Sequence, residues 1–223
     1  MGSLSVPWKQ LLLTALETNA HLKYSSFFQL VISLSATVRP NGKPANRTVV
    51  FRGFQEGSDK IQINTDSRSH KIEDIKHCPF GEICWYFTDS WEQFRIEGRI
   101  DIIDGLNSEL EKLQNYHAKR LKRPSHLSLG ETRPLREKAW FSSSLKSRLQ
   151  YLASTPGLPC IDEELYKDCT LEPSAGPVDA FCLLILEPEQ VDYLNLKVNV
   201  RLRHTFKQSN DGKGQWLQEK VNP

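Results

Sequence analysis

Several things are missing from this chain of 223 residues, and each absence narrows what it can be. No stretch reaches the 18 or so apolar residues that a membrane-crossing helix needs. There is little surplus charge: 29 Lys and Arg stand against 27 Asp and Glu, a net charge of +2. The basic residues are spread along the chain, so the broad positive surface that nucleic acid demands is absent. Neither GxGxxG nor the P-loop pattern occurs, which disfavours a βαβ nucleotide fold and leaves any bound phosphate to be held by side chains. The five cysteines (Cys78, Cys84, Cys160, Cys169 and Cys182) form no CxxC pair and are odd in number. They read as ordinary thiols in a reducing compartment, with neither a disulfide framework nor a metal site expected. The start "MGSLSVPW" lacks a signal-peptide layout and the Arg- and Ser-rich character of a transit peptide. A soluble cytoplasmic protein is the expectation, with organelle targeting left open.

What is present is ample apolar material, 39% of residues, for a real core. A first helix is expected with Ser5 as its cap, Pro7 in its first turn, and Trp8, Leu11, Leu12, Ala15 and Leu16 on a face that packs on a sheet. Strand-like runs follow at 27–39, 45–54, 60–65, 81–88 and 92–103, separated by short turn-rich segments that imply antiparallel hairpins. A helix is expected at 67–77, and longer ones at 105–123 and 134–152. The Pro- and Cys-containing stretch 154–178 reads as a loop, and strands return at 179–188, 191–196, 199–207 and 214–221. These elements predict one mainly β domain over 1–223, antiparallel with peripheral helices and a loop-rich insertion around 154–178. Closing the sheet into a barrel would remove its edges.

Two stretches carry candidate chemistry. In "NRTVVFRGF" (46–54) a short β-prone segment holds Arg47 and Arg52, five apart, so that on a regular strand they point to opposite faces. In "TDSRSHK" (65–71) Thr65, Ser67, Arg68, Ser69, His70 and Lys71 fall where a strand passes into a helix. Hydroxyls and cations at a helix start suit a phosphate monoester, because free N–H groups and the positive helix end favour anions there. A plain helix cap with solvated cations is the structural alternative.

The succession "NGKPANRTVVFRGF", "INTDSRSHKIEDI", "WEQFRIEGRIDII" and "REKAWFSS", ending in "RLRH" and "WLQEKVNP", resembles the pyridoxamine 5'-phosphate oxidase family, in its plant and cyanobacterial pyridoxine/pyridoxamine 5'-phosphate oxidase-like branch. The likeness runs over nearly the whole chain. It implies an FMN-binding split β-barrel, usually a homodimer, that oxidises phosphorylated B6 vitamers to pyridoxal 5'-phosphate with oxygen. By the same resemblance Arg47, Val49, Val50, Thr65, Arg68, Ser69, His70, Lys71 and Gln93 would bind FMN, the cluster 65–71 around its phosphate. Arg52, Tyr116, Arg120, Arg201 and Arg203 would face the substrate, so the two arginines of 46–54 would serve two ligands. Aromatic-rich "ICWYF" (83–87) is either dimer interface or intrachain core.

Three departures from the family pattern stand out. His70 replaces a more usual Arg, with Arg68 near enough in sequence to compensate. Ser144 and Leu145 replace Gln-Ser after "AWFSS", and in "RLRH" the histidine of an Arg-x-His pair comes one place late, at His204. In addition, Val31–Ser35 looks like a five-residue insertion, which would flip the strand alternation beyond it unless a bulge or loop absorbs it. Two other classes fit part of this pattern. A different split-barrel flavin reductase would keep Arg47 and the 65–71 cluster without needing Arg52, Arg201 or Arg203. A non-catalytic protein holding FMN, haem or pyridoxal phosphate would accommodate the departures.

Overall fold

The computed structural model describes residues 6–21, 36–105, 129–159, 170–208 and 214–223. The Val31–Ser35 segment, Ser5, and the helix expected from 105 to 123 lie outside these residues, apart from Gly105.

Helix α1 (Pro7–Thr18) opens on a proline, whose missing N–H costs nothing in a first turn. Val6 occupies the cap position and makes no side-chain cap bond. Trp8, Leu12 and Ala15 are buried at the spacing of one helix face, while Leu11 and Leu16 are half-buried. The Trp8 ring lies 6.1 Å from Phe54 and 5.7 Å from Trp216, which seats α1 on the sheet as the pattern predicts.

The long strand expected over 45–54 is interrupted. Strands β1 (Thr37–Val38) and β2 (Pro44–Ala45) form a small antiparallel ladder across the "PNG" turn. Residues 46–50 belong to no strand, and β3 (Phe51–Phe54) pairs with β4 (Ile61–Asp66) through a bulge between Phe51↔Ile63 and Phe54↔Ile61. Gly53, at φ +109°, takes the backbone shape this bulge requires. Arg47 and Arg52 therefore do not share a strand, and their facing is set by the irregular segment and the bulge.

Strand β5 (Phe80–Phe87) and strand β6 (Glu92–Ile103) pair from Phe80↔Arg99 to Phe87↔Glu92. Their alternation buries Ile83, Trp85, Phe87, Phe94 and Ile96. Trp85 stacks on Phe87 at 5.4 Å and meets Phe51 edge-on at 5.0 Å. The apolar residues of "ICWYF" are thus intrachain core, with Cys84 and Tyr86 half-buried between them.

Strand β7 (Phe181–Asn195) joins into one element what the sequence divides at "EPEQ". Two local features permit this. Pro188 lies before the ladder to β8 (Val200–Gln208) begins at Gln190, so its missing N–H leaves no gap there. Gly98 on β6 lets the β7 backbone approach, since a Cβ there would collide with the carbonyl oxygen of Glu187. Strand β9 (Gly214–Val221) pairs with β8 from Arg201↔Val221 to Gln208↔Gly214. The seven-stranded sheet runs β3-β4-β7-β6-β5, with β8 on β7 and β9 on β8.

Helix α2 (His70–His77) follows β4 directly. The helix expected over 134–152 is split into α3 (Leu129–Phe141), α4 (Leu145–Leu149) and a 3-10 turn, Gln150–Leu152. Serines cause the break: Ser142 and Ser143 bond back to the Ala139 carbonyl at 3.0 and 2.9 Å, and Ser144 caps α4. The described parts of 154–178 are irregular, as expected of a loop.

The described residues pack as two compact units. One comprises those within 1–63, 74–100 and 185–223; the other comprises those within 64–73 and 101–184. The core of the first is the Trp8, Phe51, Trp85, Phe87 and Phe94 cluster, and that of the second centres on Trp140 and Phe181, 5.1 Å apart. Among the described residues no helix is long and apolar enough to cross a membrane, and no group of acidic, His or Cys side chains could hold a metal. Cys78, Cys84 and Cys182 are free thiols, and burial pushes that of Cys182 up to about 12.

Candidate functional site

The second unit contains the helix-start cluster. Thr65 ends the buried face of β4, and the chain turns through Ser69 into α2. The Lys71 ammonium donates to Thr65 Oγ1 at 2.8 Å and to Ser69 Oγ at 2.9 Å. Both hydroxyls are largely buried, so one cation and two hydroxyls converge at the positive end of a helix. This is the chemistry a phosphate monoester needs. Thr65, Ser69 and Lys71 are therefore brought together as the sequence suggests.

Their neighbours behave differently. Arg68 is turned onto Asp66, with Nε and Nη2 donating to the carboxylate at 3.0 and 2.7 Å, and Nη2 also reaching the Tyr151 carbonyl at 3.3 Å. A ligand would have to compete with Asp66 for it. His70 is exposed on the first residue of α2, its ring against Gly157: a Cβ built there would lie 3.2 Å from His70 Nε2. Ser144 accepts from the Ser147 N–H at 3.2 Å, which commits it to the helix cap, and Leu145 beside it is exposed. Ser143, buried, accepts from the Asn64 amide at 3.2 Å.

In the first unit Arg47 is tied into the protein. Its Nη2 donates to Asp74 Oδ2 at 2.6 Å, and its Nη1 donates to the Ala45 carbonyl at 2.9 Å and to Thr37 Oγ1. Thr37 in turn donates to Asp74 at 2.7 Å. Burial pushes the Asp74 carboxyl up, but the bonds from Thr37 and Arg47 outweigh it and hold the group below its ordinary range. Val49 is buried, Val50 is half-buried, and both lie outside the strand ladders. Arg52 is exposed in the β3 bulge and makes no side-chain hydrogen bond or ion pair among the described residues. Gln93 donates weakly to Cys84 Sγ at 3.4 Å across β5 and β6.

On β8, Arg201 and Arg203 share one face and His204 takes the other. His204 is fully buried, with Nε2 at 3.1 Å from Gln218 Oε1, and burial lowers its pKa. Arg203, rather than His204, occupies the histidine place of the Arg-x-His pattern, because a strand's period of two cannot bring His204 to the side of Arg201. Arg201 meets Asp192 on β7 as a fork, Nε to Oδ1 at 2.9 Å and Nη2 to Oδ2 at 2.7 Å. Arg95 on β6 donates to the same Oδ2 at 2.7 Å. Tyr116 and Arg120 lie outside the described residues.

Sequence reasoning misses Asp74 and Asp192. Each carries a signal: an acid between Ile72 and Ile75 on the apolar side of α2, and an acid inside the apolar run "VDYL". A carboxylate on a buried face needs a cation.

Comparison with known proteins places these residues in context. A family model described as pyridoxamine 5'-phosphate oxidase, FMN-binding domain, matches residues 5–104. The Arabidopsis thaliana protein named pyridoxine/pyridoxamine 5'-phosphate oxidase 2 is 53% identical over 100% of both chains. The crystal structure of a pyridoxamine 5'-phosphate oxidase-related, FMN binding protein from Nostoc punctiforme superposes with a TM-score of 0.75 at 34% identity, covering 100% of each chain. PhzG from Burkholderia lata shares the fold at 16% identity and a TM-score of 0.64, covering 97% of this chain and 90% of its own. The antiparallel sheet is thus that of the FMN-binding split barrels. Identity above half, carried over the full length of both chains, makes this chain a member of the pyridoxamine 5'-phosphate oxidase family.

Proposed function

We propose that this protein is an FMN-dependent oxidase of pyridoxine 5'-phosphate or pyridoxamine 5'-phosphate, forming pyridoxal 5'-phosphate with oxygen as acceptor in vitamin B6 salvage, and that it works as a cytoplasmic homodimer. The observation that carries the reading is the full-length likeness to the Arabidopsis oxidase. Arg52, Arg201 and Arg203, which a flavin reductase on this fold would not need, are all retained and support it over that alternative.

FMN is the cofactor of the family's domain. The Lys71, Thr65 and Ser69 cluster fits its phosphate on charge and hydrogen-bonding capacity. Arg47, the 49–50 backbone and Gln93 are assigned to the rest of the cofactor, with His70 and Arg68 beside the phosphate. When bound, FMN supplies the two-electron oxidation at the 4' carbon that no side chain here performs. The alcohol loses two electrons and two protons, which oxygen takes up as hydrogen peroxide.

The protein's own task is positioning. Arg52, Arg201 and Arg203, with Tyr116 and Arg120, are assigned to the substrate. Gripping a phosphate remote from the reacting carbon lets binding energy fix that carbon's place, so losing a phosphate ligand should lower turnover as well as affinity.

Purified protein supplied with FMN and pyridoxine 5'-phosphate in air should form pyridoxal 5'-phosphate and peroxide in equal amounts. Arg52→Ala should lose at least tenfold in kcat/KM, about 1.4 kcal/mol. Tight FMN binding with neither product would overturn the oxidase reading.

A further inference from the structure

We propose that Asp192 is the positioning residue of the substrate-phosphate site, holding Arg201 and Arg95 in a preset arrangement that receives the phosphate. This rests on the oxidase reading above and assigns a role to two residues, Asp192 and Arg95, that the family resemblance leaves without one.

The geometry is specific. Asp192 has a side chain only 8% exposed, and its two oxygens accept four charged hydrogen bonds, three from the Arg201 fork and one from Arg95. Arg203 is its direct cross-strand neighbour, in register on β8. Two arginines, from β6 and β8, thus converge on one carboxylate on β7, so this ion-paired group carries one positive charge more than it carries negative. Arg203 beside it stands opposite Glu219 on β9. A bound anion such as a phosphate offsets the remaining excess.

Exposure points the same way. The Arg201 and Arg95 side chains are 26% and 41% exposed above the buried acid, and Arg201 Nη1 has no partner among the described residues. A fork held from below by Asp192 keeps donors free while losing the rotamer freedom a long side chain would otherwise give up on binding. Burial pushes the Asp192 carboxyl up, but the bonds from Arg201 and Arg95 outweigh it, so the clamp stays ionised through neutral pH.

Full-length, FMN-loaded protein tests this with Asp192→Asn and Asp192→Glu. Steady-state rates with pyridoxine 5'-phosphate and with unphosphorylated pyridoxine are compared beside calorimetric titration with pyridoxal 5'-phosphate, FMN affinity and melting temperature. Asp192→Asn should raise KM for the phosphorylated substrate at least tenfold and weaken pyridoxal 5'-phosphate binding in proportion. It should lower kcat as well, while leaving FMN affinity within twofold, and Asp192→Glu should restore part of the loss. Phosphate-dependent constants within twofold of the parent would overturn the proposal. So would a fall in FMN affinity and melting temperature in step with substrate affinity in both variants, the mark of a merely structural acid. A parent protein that binds FMN yet does not prefer the phosphorylated substrate refutes the oxidase reading and takes the inference with it. A parent that shows the preference beside an unaffected Asp192→Asn refutes the inference alone.

Discussion

The Arg47, Thr37 and Asp74 triad commits to the fold a side chain that we propose also meets the cofactor. Asp74 is 3% exposed, and its charge is tolerable because Arg47 and Thr37 both donate to it. Removing the carboxylate would leave a largely buried guanidinium without its counter-charge, so Asp74→Ala should cost about 3 kcal/mol in urea unfolding, and Asp74→Asn less. Because the folded carboxyl titrates below its ordinary value of 3.8, this contribution is present above that pH and is lost as acidification passes the folded pKa. Arg47 is readable in "NRTVVF" as a charge in an apolar segment. Its partner is not, because 27 residues separate them and only the packing of α2 brings Asp74 into reach.

At the scale of elements, β7 depends on a close approach that a single glycine permits. A methyl group at Gly98 meets backbone atoms of Glu187 and Pro188, which cannot rotate aside. Gly98→Ala should therefore destabilise by about 3 kcal/mol in thermal unfolding. Gly176, where an added methyl would meet nothing within 4 Å and φ is not positive, should accept alanine within about 0.5 kcal/mol. Period-two alternation makes β5 and β6 legible almost to the residue. It misplaces the break in "EPEQ" because a proline reads as punctuation unless the neighbouring strand's glycine is known to face it. Likewise the helix over 134–152 looks continuous in sequence because serine's competition for the backbone is local and weakly periodic.

The whole molecule responds to pH through His204, which is fully buried between β7 and β9 and whose pKa burial lowers from 6.5. The unfolded chain takes up a proton near that value while the folded chain resists it, so stability falls as pH drops below about 6.5. Melting temperature should decline between pH 7.5 and 5.5, and His204→Leu should flatten that part of the profile. An unchanged slope in the variant would assign the acid sensitivity to other groups.

The sequence by itself determined the residue types and the local architecture. A strand running into a helix with Thr65, Ser69 and Lys71 at the junction is a short-range arrangement, within reach of spacing rules, and so is the sharing of a face by Arg201 and Arg203. Tertiary structure alone decided which carboxylate answers each arginine, Asp74 for Arg47 and Asp192 for Arg95 and Arg201. It also sent His204 inward. The reason is physical: periodicity reports which side of an element faces the core, whereas a charge's partner depends on register and on contacts between residues as far apart as 95 and 192.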